Sequence, residues 1–184
     1  FAAARKIYLS GNVEAAAKSL KSYLRNYPKG YSTDDALFYL SDCLQRTEET
    51  GAAIAALAEL TARPTNQYTA DALGTLAKLT SAAGRHPEAA KAYRALYDAV
   101  QSADERAAAA TGYLRSVKAS GDDAATLAAA AEVEALADAG ATAQREAKFA
   151  RATILRRSGK QAEALPLYRE LSREVRTAEG AESA

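Results

Sequence analysis

Few residues in this sequence have the chemistry of a catalytic or metal site. The chain of 184 residues contains one histidine, His86, and one cysteine, Cys43. His86 stands between Arg85 and Pro87 with no nucleophile beside it in sequence, so we expect an exposed turn residue. Cys43 lies on an apolar helical stripe, where a free cysteine behaves as a small hydrophobic residue. The sequence therefore predicts no Cys–His catalytic pair and too few His and Cys ligands for a metal site.

Paired carboxylates are the other candidate catalytic groups, and they occur at Asp34–Asp35, Glu48–Glu49 and Asp122–Asp123. The aspartate pairs begin predicted helices, where the helix dipole favours negative charge, so we expect helix capping rather than acid–base catalysis. The ten glycines are scattered and form no phosphate-binding loop. We therefore expect neither an enzyme active site nor a bound cofactor.

The amino-acid composition indicates the type of secondary structure and excludes some classes of binding partner. Alanine accounts for 48 residues; it has the highest helix propensity and is depleted in β-strands, which favours an all-α protein. Lys and Arg number 24 against 23 Asp and Glu, so the net charge of +1 gives no electrostatic footprint for nucleic acid. No apolar run approaches the ~20 residues that cross a bilayer, so we expect no direct membrane insertion.

Glycines divide the chain into units of similar length. Gly11, Gly51, Gly84, Gly121 and Gly159 each follow one predicted helix and precede another, at separations of 40, 33, 37 and 38 residues. A glycine ends a helix well because it adopts a left-handed conformation without steric cost. Asn12, Pro87 and Asp122 are residues that favour the start of the next helix. The repeating unit is therefore a helical hairpin.

Small and bulky residues recur at fixed distances from these glycines. The recurring residues are Ala4, Leu44, Ala77, Leu114 and Ala152 seven positions before; Ala16, Ala56, Ala89, Thr126 and Ala164 five positions after; and Leu20, Leu60, Tyr93, Ala130 and Tyr168 nine positions after. In this pattern the chain resembles the tetratricopeptide repeat (TPR) family, although the tryptophan common in that family's first helix is missing. The resemblance implies an all-α, right-handed α–α superhelix of about five helical hairpins. A generic α–α solenoid is the alternative.

The resemblance extends over nearly the whole chain, which we interpret as one array, 1–184. The expected units are 1–30, 31–66, 67–102, 103–140 and 141–176, and residues 177–184 resemble the start of a further repeat. The sequence begins with Phe and contains no Met, and both ends look like cut repeats. We therefore expect a fragment of a longer array.

In TPR arrays the first helix of each pair lines a concave groove, so the resemblance implies which side chains face a partner. The groove set comprises Phe38, Ser41, Gln45 and Glu48 in the second unit, Asp71 and Lys78 in the third, Arg115 and Lys118 in the fourth, and Phe149, Thr153 and Arg156 in the fifth. The main candidates are Phe38, Gln45, Lys78, Arg115, Lys118, Phe149 and Arg156. An acidic or C-terminal carboxylate ligand would fit the basic end. Ordinary solvated helix faces are the alternative.

These features predict a non-catalytic scaffold that binds a partner protein or peptide. Other functions left open are the interaction arm of a larger enzyme, an architectural spacer or oligomerisation module, and, less favoured because of the neutral charge, an RNA-binding helical repeat. Self-association also stays open. A further resemblance, to large TPR proteins of the Gram-negative cell envelope, suggests a periplasmic or cell-envelope location, with the cytoplasm as the alternative.

Overall fold

The computed structural model describes the backbone of residues 1–182 and the side chains of residues 1–174. Every regular element in this part of the chain is an α-helix, which confirms the predicted all-α class. The helices are α1 Ala2–Leu9, α2 Val13–Asn26, α3 Thr33–Arg46, α4 Thr50–Thr61, α5 Thr69–Ala82, α6 His86–Ala99, α7 Ala103–Ala119, α8 Asp123–Ala135, α9 Gly140–Arg157 and α10 Gln161–Glu182. None of these helices combines the length and the apolar character that crossing a bilayer requires.

The helices form two compact units, Phe1–Gly84 and Arg85–Ala184. Within each unit, every helix packs against the next one along the chain, and in the second unit α7 also contacts α9. The single array and its unit boundaries stay predictions. Residues 177–182 belong to α10 and residues 183–184 lie outside the described part, so the further repeat expected at 177–184 also stays a prediction.

The turns within the hairpins each contain one residue in the left-handed conformation. Four of the predicted glycines occupy this position, with φ between +71° and +83°: Gly11, Gly84, Gly121 and Gly159. The prediction for Gly51 is wrong, because this glycine lies inside α4 and Glu48 takes the left-handed position with φ +60°. The Glu48 N–H donates to the Gln45 carbonyl and the Glu49 N–H to the Leu44 carbonyl, at 3.1 and 2.8 Å. This pair of bonds is a Schellman motif, which ends α3 without a glycine.

The correction makes the repeat more regular. The five left-handed residues of the hairpin turns are separated by 37, 36, 37 and 38 residues; Gly140, at the start of α9, is also left-handed with φ +74°. In the second repeat, Ser41, Ala53 and Leu57 replace Leu44, Ala56 and Leu60 at the three recurring positions. The residues seven positions before and five positions after each of the five turn residues are all buried: Ala4, Ser41, Ala77, Leu114 and Ala152, then Ala16, Ala53, Ala89, Thr126 and Ala164.

Small residues at the helix contacts let neighbouring backbones approach closely. In the compact unit Arg85–Ala184, a Cβ added to Gly112 of α7 would lie 2.5 Å from the ring of Tyr93 on α6. No larger residue fits there without movement of that ring. At the start of α9, a Cβ on Gly140 would lie 2.7 Å from the Cβ of Ala107. Both glycines are therefore packing residues.

The aspartates expected at helix starts differ in their contacts: Asp34 and Asp35 lie in the first turn of α3, but no side chain caps that helix. Asp122 does cap α8, because its side chain accepts a hydrogen bond from the Ala125 N–H at 3.0 Å. Asp34 accepts from the Asn66 side chain at 3.0 Å and pairs with Arg63, and Asp35 accepts from the Tyr68 hydroxyl at 2.5 Å. In the first unit, the start of α3 is thereby bonded to the connection between α4 and α5.

Tyrosine hydroxyls bonded to carboxylates have altered acidity. The Tyr113 hydroxyl on α7 donates to Glu132 on α8 at 2.7 Å. Burial, and then the bond to this carboxylate, raises the pKa of Tyr113 to about 12. Burial and the bond to Asp35 likewise raise the pKa of Tyr68 to about 12. Both folded units therefore favour a neutral phenol at these positions.

The Glu48→Gly substitution should stabilise the protein. A side chain with a Cβ costs about 1–2 kcal/mol in the left-handed conformation. Glycine removes this cost, but the greater freedom that it gives the unfolded chain offsets part of the gain. We expect the free energy of unfolding, measured by urea denaturation, to rise by about 0.5–1 kcal/mol.

Glu48→Gln is the matched control, because it removes the charge, keeps the Cβ and should leave stability unchanged. Gly84→Ala should cost about 1 kcal/mol by the same argument, since its Cβ would meet no atom within 4 Å and only the backbone is strained. Equal stability of Glu48→Gly and Glu48→Gln would contradict the assignment of Glu48 to a strained turn.

Alkaline pH should destabilise the fold through Tyr68 and Tyr113. An unfolded tyrosine has a pKa of about 10. Because the folded pKa is higher, the stabilisation is complete below pH 10 and is lost as the pH rises towards 12. Thermal unfolding midpoints measured between pH 8 and pH 12 should therefore fall less steeply for a Tyr68→Phe and Tyr113→Phe double variant than for the wild type.

The control for this titration is Tyr31→Phe, because the Tyr31 side chain is fully exposed. Its pH profile should match that of the wild type. A double variant that loses stability as steeply as the wild type would show that other groups cause the alkaline unfolding.

Candidate functional site

The candidate groove residues in the compact unit Phe1–Gly84 are Phe38, Gln45 and Lys78, and two of them are engaged in intramolecular contacts. The Phe38 ring stacks on the Tyr68 ring with centroids 4.3 Å apart and planes inclined by 17°. The Gln45 side-chain amide donates to the Ser41 carbonyl of its own helix at 3.2 Å. Lys78 is exposed. Of the two polar residues, Lys78 therefore presents its charged group to solvent, whereas the Gln45 amide is bonded to its own helix.

Two further residues of the expected groove set lie elsewhere than predicted. Ser41 is buried, with 2% of its surface exposed, and its hydroxyl donates to the Phe38 carbonyl. Glu48 is the left-handed turn residue. The corrected register places Asp42 on this face instead, where its carboxylate accepts a hydrogen bond from Tyr8 at 2.9 Å. Asp42 could have been found from the sequence if the 36–38 residue period had been given more weight than Gly51.

In the second unit, three candidate residues line one cavity of about 690 Å³ between α7, α9 and α10. These are Arg115, Lys118 and Phe149, and the cavity is also lined by Ala119, Arg145, Glu146 and Leu171. We call the surface formed by these seven residues the α7–α9 face. Lys118 and Phe149 also line a second cavity of about 240 Å³, which is bounded by Ala150, Thr153, Ile154 and Arg157 of α9 and by the start of α8.

Helical spacing positions these side chains. Leu114 of α7 and Ala147 and Ala150 of α9 are buried in the core of the unit. Residues directly beside them in sequence project from other sides of the same helices, because successive residues are about 100° apart around a helix. Arg115 is consequently exposed, and Glu146 lies at the edge between core and solvent.

The charges of the α7–α9 face are unevenly compensated. Arg115 forms a bidentate ion pair with Glu146, with Nε 2.9 Å from the nearer carboxylate oxygen, and this pair raises the pKa of Arg115. Arg145 donates a hydrogen bond to the Ala141 carbonyl at 3.4 Å. Among the side chains that the structure describes, no carboxylate forms an ion pair with Arg145 or Lys118, whereas Glu146 pairs with Arg115.

Phe149 lines both cavities and is 52% exposed. Its ring meets the Tyr168 ring edge to face at 6.2 Å. Arg156 is exposed and is not among the residues lining either cavity. The Tyr168 hydroxyl interacts with Thr153 at 3.3 Å and with Arg156, and these contacts lower the pKa of Tyr168.

The residues with catalytic chemistry lie apart from this face. Cys43 is buried, as predicted, and burial raises the pKa of its thiol. His86 is the first residue of α6 and is half-buried, so the expectation of an exposed turn residue is wrong. Within the described part of the chain, no three His, Cys, Asp or Glu side chains cluster closely enough to hold a metal ion.

The fold resembles that of several solved structures. A tetratricopeptide repeat protein from Parabacteroides merdae ATCC 43184 superposes with a TM-score of 0.52 at 16% identity, over 94% of this chain and 64% of that protein. The present chain thus spans less than two thirds of its length. MamA superposes with a TM-score of 0.53 at 16% identity, over 96% of both chains. MamA from Desulfovibrio magneticus RS-1 gives 0.51 at 13% identity, over 95% of this chain and 92% of that one.

No protein-family model matches the sequence, and no curated protein sequence matches it. The similarity is therefore one of structure, carried by helical hairpins with a left-handed residue in each turn and small buried residues at fixed positions around it. These features and the structural matches agree with the architecture that the sequence pattern predicts. The chain has the tetratricopeptide repeat fold, an all-α solenoid of helical hairpins.

Proposed function

We propose that this chain is a non-catalytic scaffold that binds a partner protein or peptide through the α7–α9 face. The observation that carries the proposal is the convergence of Lys118, Arg145 and Phe149 around a cavity of about 690 Å³. Two cations beside an exposed aromatic ring form the combination of polar and apolar groups that protein interfaces use. The TPR fold supports the proposal, because helical repeat proteins present extended binding surfaces.

The geometry of the face suits an extended segment better than a small substrate. The cavity is open to solvent and is lined by side chains from three helices. Arg115, held by Glu146, is pre-positioned and loses little freedom when a partner binds. The net charge of +1 counts against a nucleic-acid partner, whose binding depends on many phosphate contacts. A periplasmic or cell-envelope location stays a prediction from sequence resemblance.

Site-specific photo-crosslinking tests this proposal. A benzophenone amino acid placed at position 149 in the whole chain, expressed in the cell that produces it, should form a covalent adduct with a partner protein. The same amino acid at position 165 is the matched control, because Leu165 is 49% exposed but lines neither cavity. We expect the adduct at position 149 and not at position 165.

Circular dichroism of both variants checks that the helices are retained. Absence of an adduct at position 149, or equal adducts at both positions, would contradict a binding role for the α7–α9 face. An adduct of twice the chain mass would identify a second copy as the occupant and would favour the oligomerisation module.

A further inference from the structure

Cations are concentrated on the second helix of the first hairpin. Between Glu14 and Asp34 the sequence contains four cations and no carboxylate, although the net charge of the whole chain is only +1. Three of these cations, Lys18, Lys21 and Arg25, lie on α2 and are exposed. Residues three and four positions apart share one side of a helix, so these three side chains form a single basic stripe along α2.

The carboxylates beside this stripe compensate only part of its charge. The three cations line a cavity of about 290 Å³ together with two carboxylates, Glu14 and Glu49. Lys21 pairs with Glu49 at 3.2 Å, whereas Lys18 and Arg25 form no ion pair with a side chain that the structure describes. An engineered cavity of about 150 Å³ already holds benzene, so this one has room for a group of the size of a phosphate.

Two exposed tyrosines follow the stripe, in the connection between α2 and α3. Tyr27 is 59% exposed and Tyr31 is fully exposed, and the exposed Lys29 lies between them in sequence. The Tyr27 carbonyl accepts hydrogen bonds from the Gly30 N–H and the Thr33 hydroxyl, both at 3.1 Å. The backbone that presents these tyrosines to solvent is therefore held in place. We call the surface formed by Lys18, Lys21, Arg25, Tyr27, Lys29 and Tyr31 the α2 face.

The packing of the helices leaves the α2 face open. In the described part of the chain, α2 packs against α1 and α3, α4 against α3 and α5, and α8 against α7 and α9. The second helix of each of these hairpins thus packs on its own first helix and on the next first helix. Both of these neighbours are described for α2. A further repeat placed before α1 would by the same pattern pack on α1 and leave the α2 face exposed.

The residue types of the α2 face are those that favour the surface of an anionic bilayer. Clusters of about four to eight Lys and Arg residues on a helix bind anionic lipid headgroups. Tyrosine is enriched at the boundary between membrane and water, because its ring is apolar and its hydroxyl is polar. Single-stranded nucleic acid also binds cations and aromatic rings, but it needs a basic groove that follows its backbone. The cavity beside α2 is a recess of about 290 Å³ instead.

We propose that the α2 face attaches the chain to the surface of an anionic membrane. Lys18 and Arg25 contact lipid phosphates, Lys29 adds a third contact, and Tyr27 and Tyr31 lie at the level of the headgroups. Attachment of this kind is peripheral and needs no membrane-spanning helix. The proposal concerns a different surface from the α7–α9 face and goes beyond the scaffold function.

Vesicle flotation with the whole chain tests this proposal. The probes are vesicles of phosphatidylcholine alone and vesicles of phosphatidylcholine with about 30% phosphatidylglycerol, which carry a negative surface potential. We expect the chain to float with the anionic vesicles and not with the neutral ones. Added salt should release it, because salt screens the attraction between exposed charges.

Charge-removing variants show which cations bind the vesicles. Lys18→Gln together with Arg25→Gln should weaken binding to the anionic vesicles about 25-fold, because each cation near such a surface contributes about fivefold. The matched control combines Lys78→Gln with Lys91→Gln, which removes the same charge from two exposed lysines on other helices. This control should bind as the wild type does, and circular dichroism checks that both double variants keep their helices.

A tryptophan at position 31 reports on the tyrosine contact directly, because the sequence contains no tryptophan. The fluorescence emission of Tyr31→Trp should shift to shorter wavelength with the anionic vesicles, as the indole enters the headgroup region. Leu165→Trp is the control, because Leu165 is 49% exposed and lies on α10. Its emission should stay unchanged.

Absence of flotation with the anionic vesicles, equal flotation with both kinds of vesicle, or equal binding by the two double variants would overturn the proposal. An unchanged emission of Tyr31→Trp in the bound chain would overturn the role of the tyrosines. Tighter binding of a labelled oligouridine than of the anionic vesicles would assign the α2 face to single-stranded nucleic acid instead. None of these results bears on the scaffold function, because crosslinking at position 149 tests the α7–α9 face separately.

Discussion

Close packing of helices through alanine is the constraint on which the rest of the structure depends. The buried positions on either side of each turn are mostly alanines, such as Ala16, Ala53 and Ala89. Such small side chains let helix axes approach to about 8 Å, the lower end of the usual range. At that distance a larger residue overpacks the contact, and even a Cβ on Gly112 would meet Tyr93. The rotation of each helix about its axis is therefore fixed, and with it the side chains that reach solvent.

A hairpin packed in this way buries too little apolar surface to be stable alone and depends on its neighbours. Ion pairs between residues about one repeat apart join neighbouring elements within each unit, including Arg63–Asp34, Arg106–Asp138 and Arg157–Asp123. An exposed pair adds only about 0–1 kcal/mol, so these contacts fix the positions of neighbours more than they stabilise them. They also engage a large share of the charged side chains. Lys118 and Arg145 are among the cations for which the described structure provides no such partner.

The sequence predicts the helices and most of the turns well, because glycine, asparagine and proline have strong local preferences. The prediction fails at Glu48, because a glutamate in the left-handed conformation has no local sequence signature. The nearby Gly51 is therefore predicted as the turn residue instead. That error displaces the second repeat by three residues and places Ser41 in the groove. The period of the repeat indicates the correct turn residue. It reflects the packing of equivalent residues, and it is more regular than the spacing between the five glycines.

The candidate site is predicted less completely, for a different physical reason. Helical spacing alone places Arg115, Lys118 and Phe149 outside the core, and the structure brings these three together. Spacing does not reveal that Tyr68 covers Phe38, since this contact depends on the connection that Asp34 and Asp35 hold in place. Nor does it reveal that Glu146 compensates Arg115. Whether a residue is available to a partner depends on such contacts between neighbouring elements.

The proposed binding role gives the charged and apolar residues of the α7–α9 face different tasks, because charged and apolar contacts differ in range. The field of Lys118 and Arg145 extends about 8–10 Å at physiological ionic strength, so under this proposal it acts during the encounter with a partner. Contact with Phe149 would form only after docking, and apolar anchors mainly set the rate of dissociation. The Arg115–Glu146 pair contributes little net charge, but it links α7 to α9 across the cavity. A site on two helices joined in this way holds its shape before a partner arrives, which lowers the conformational entropy lost on binding.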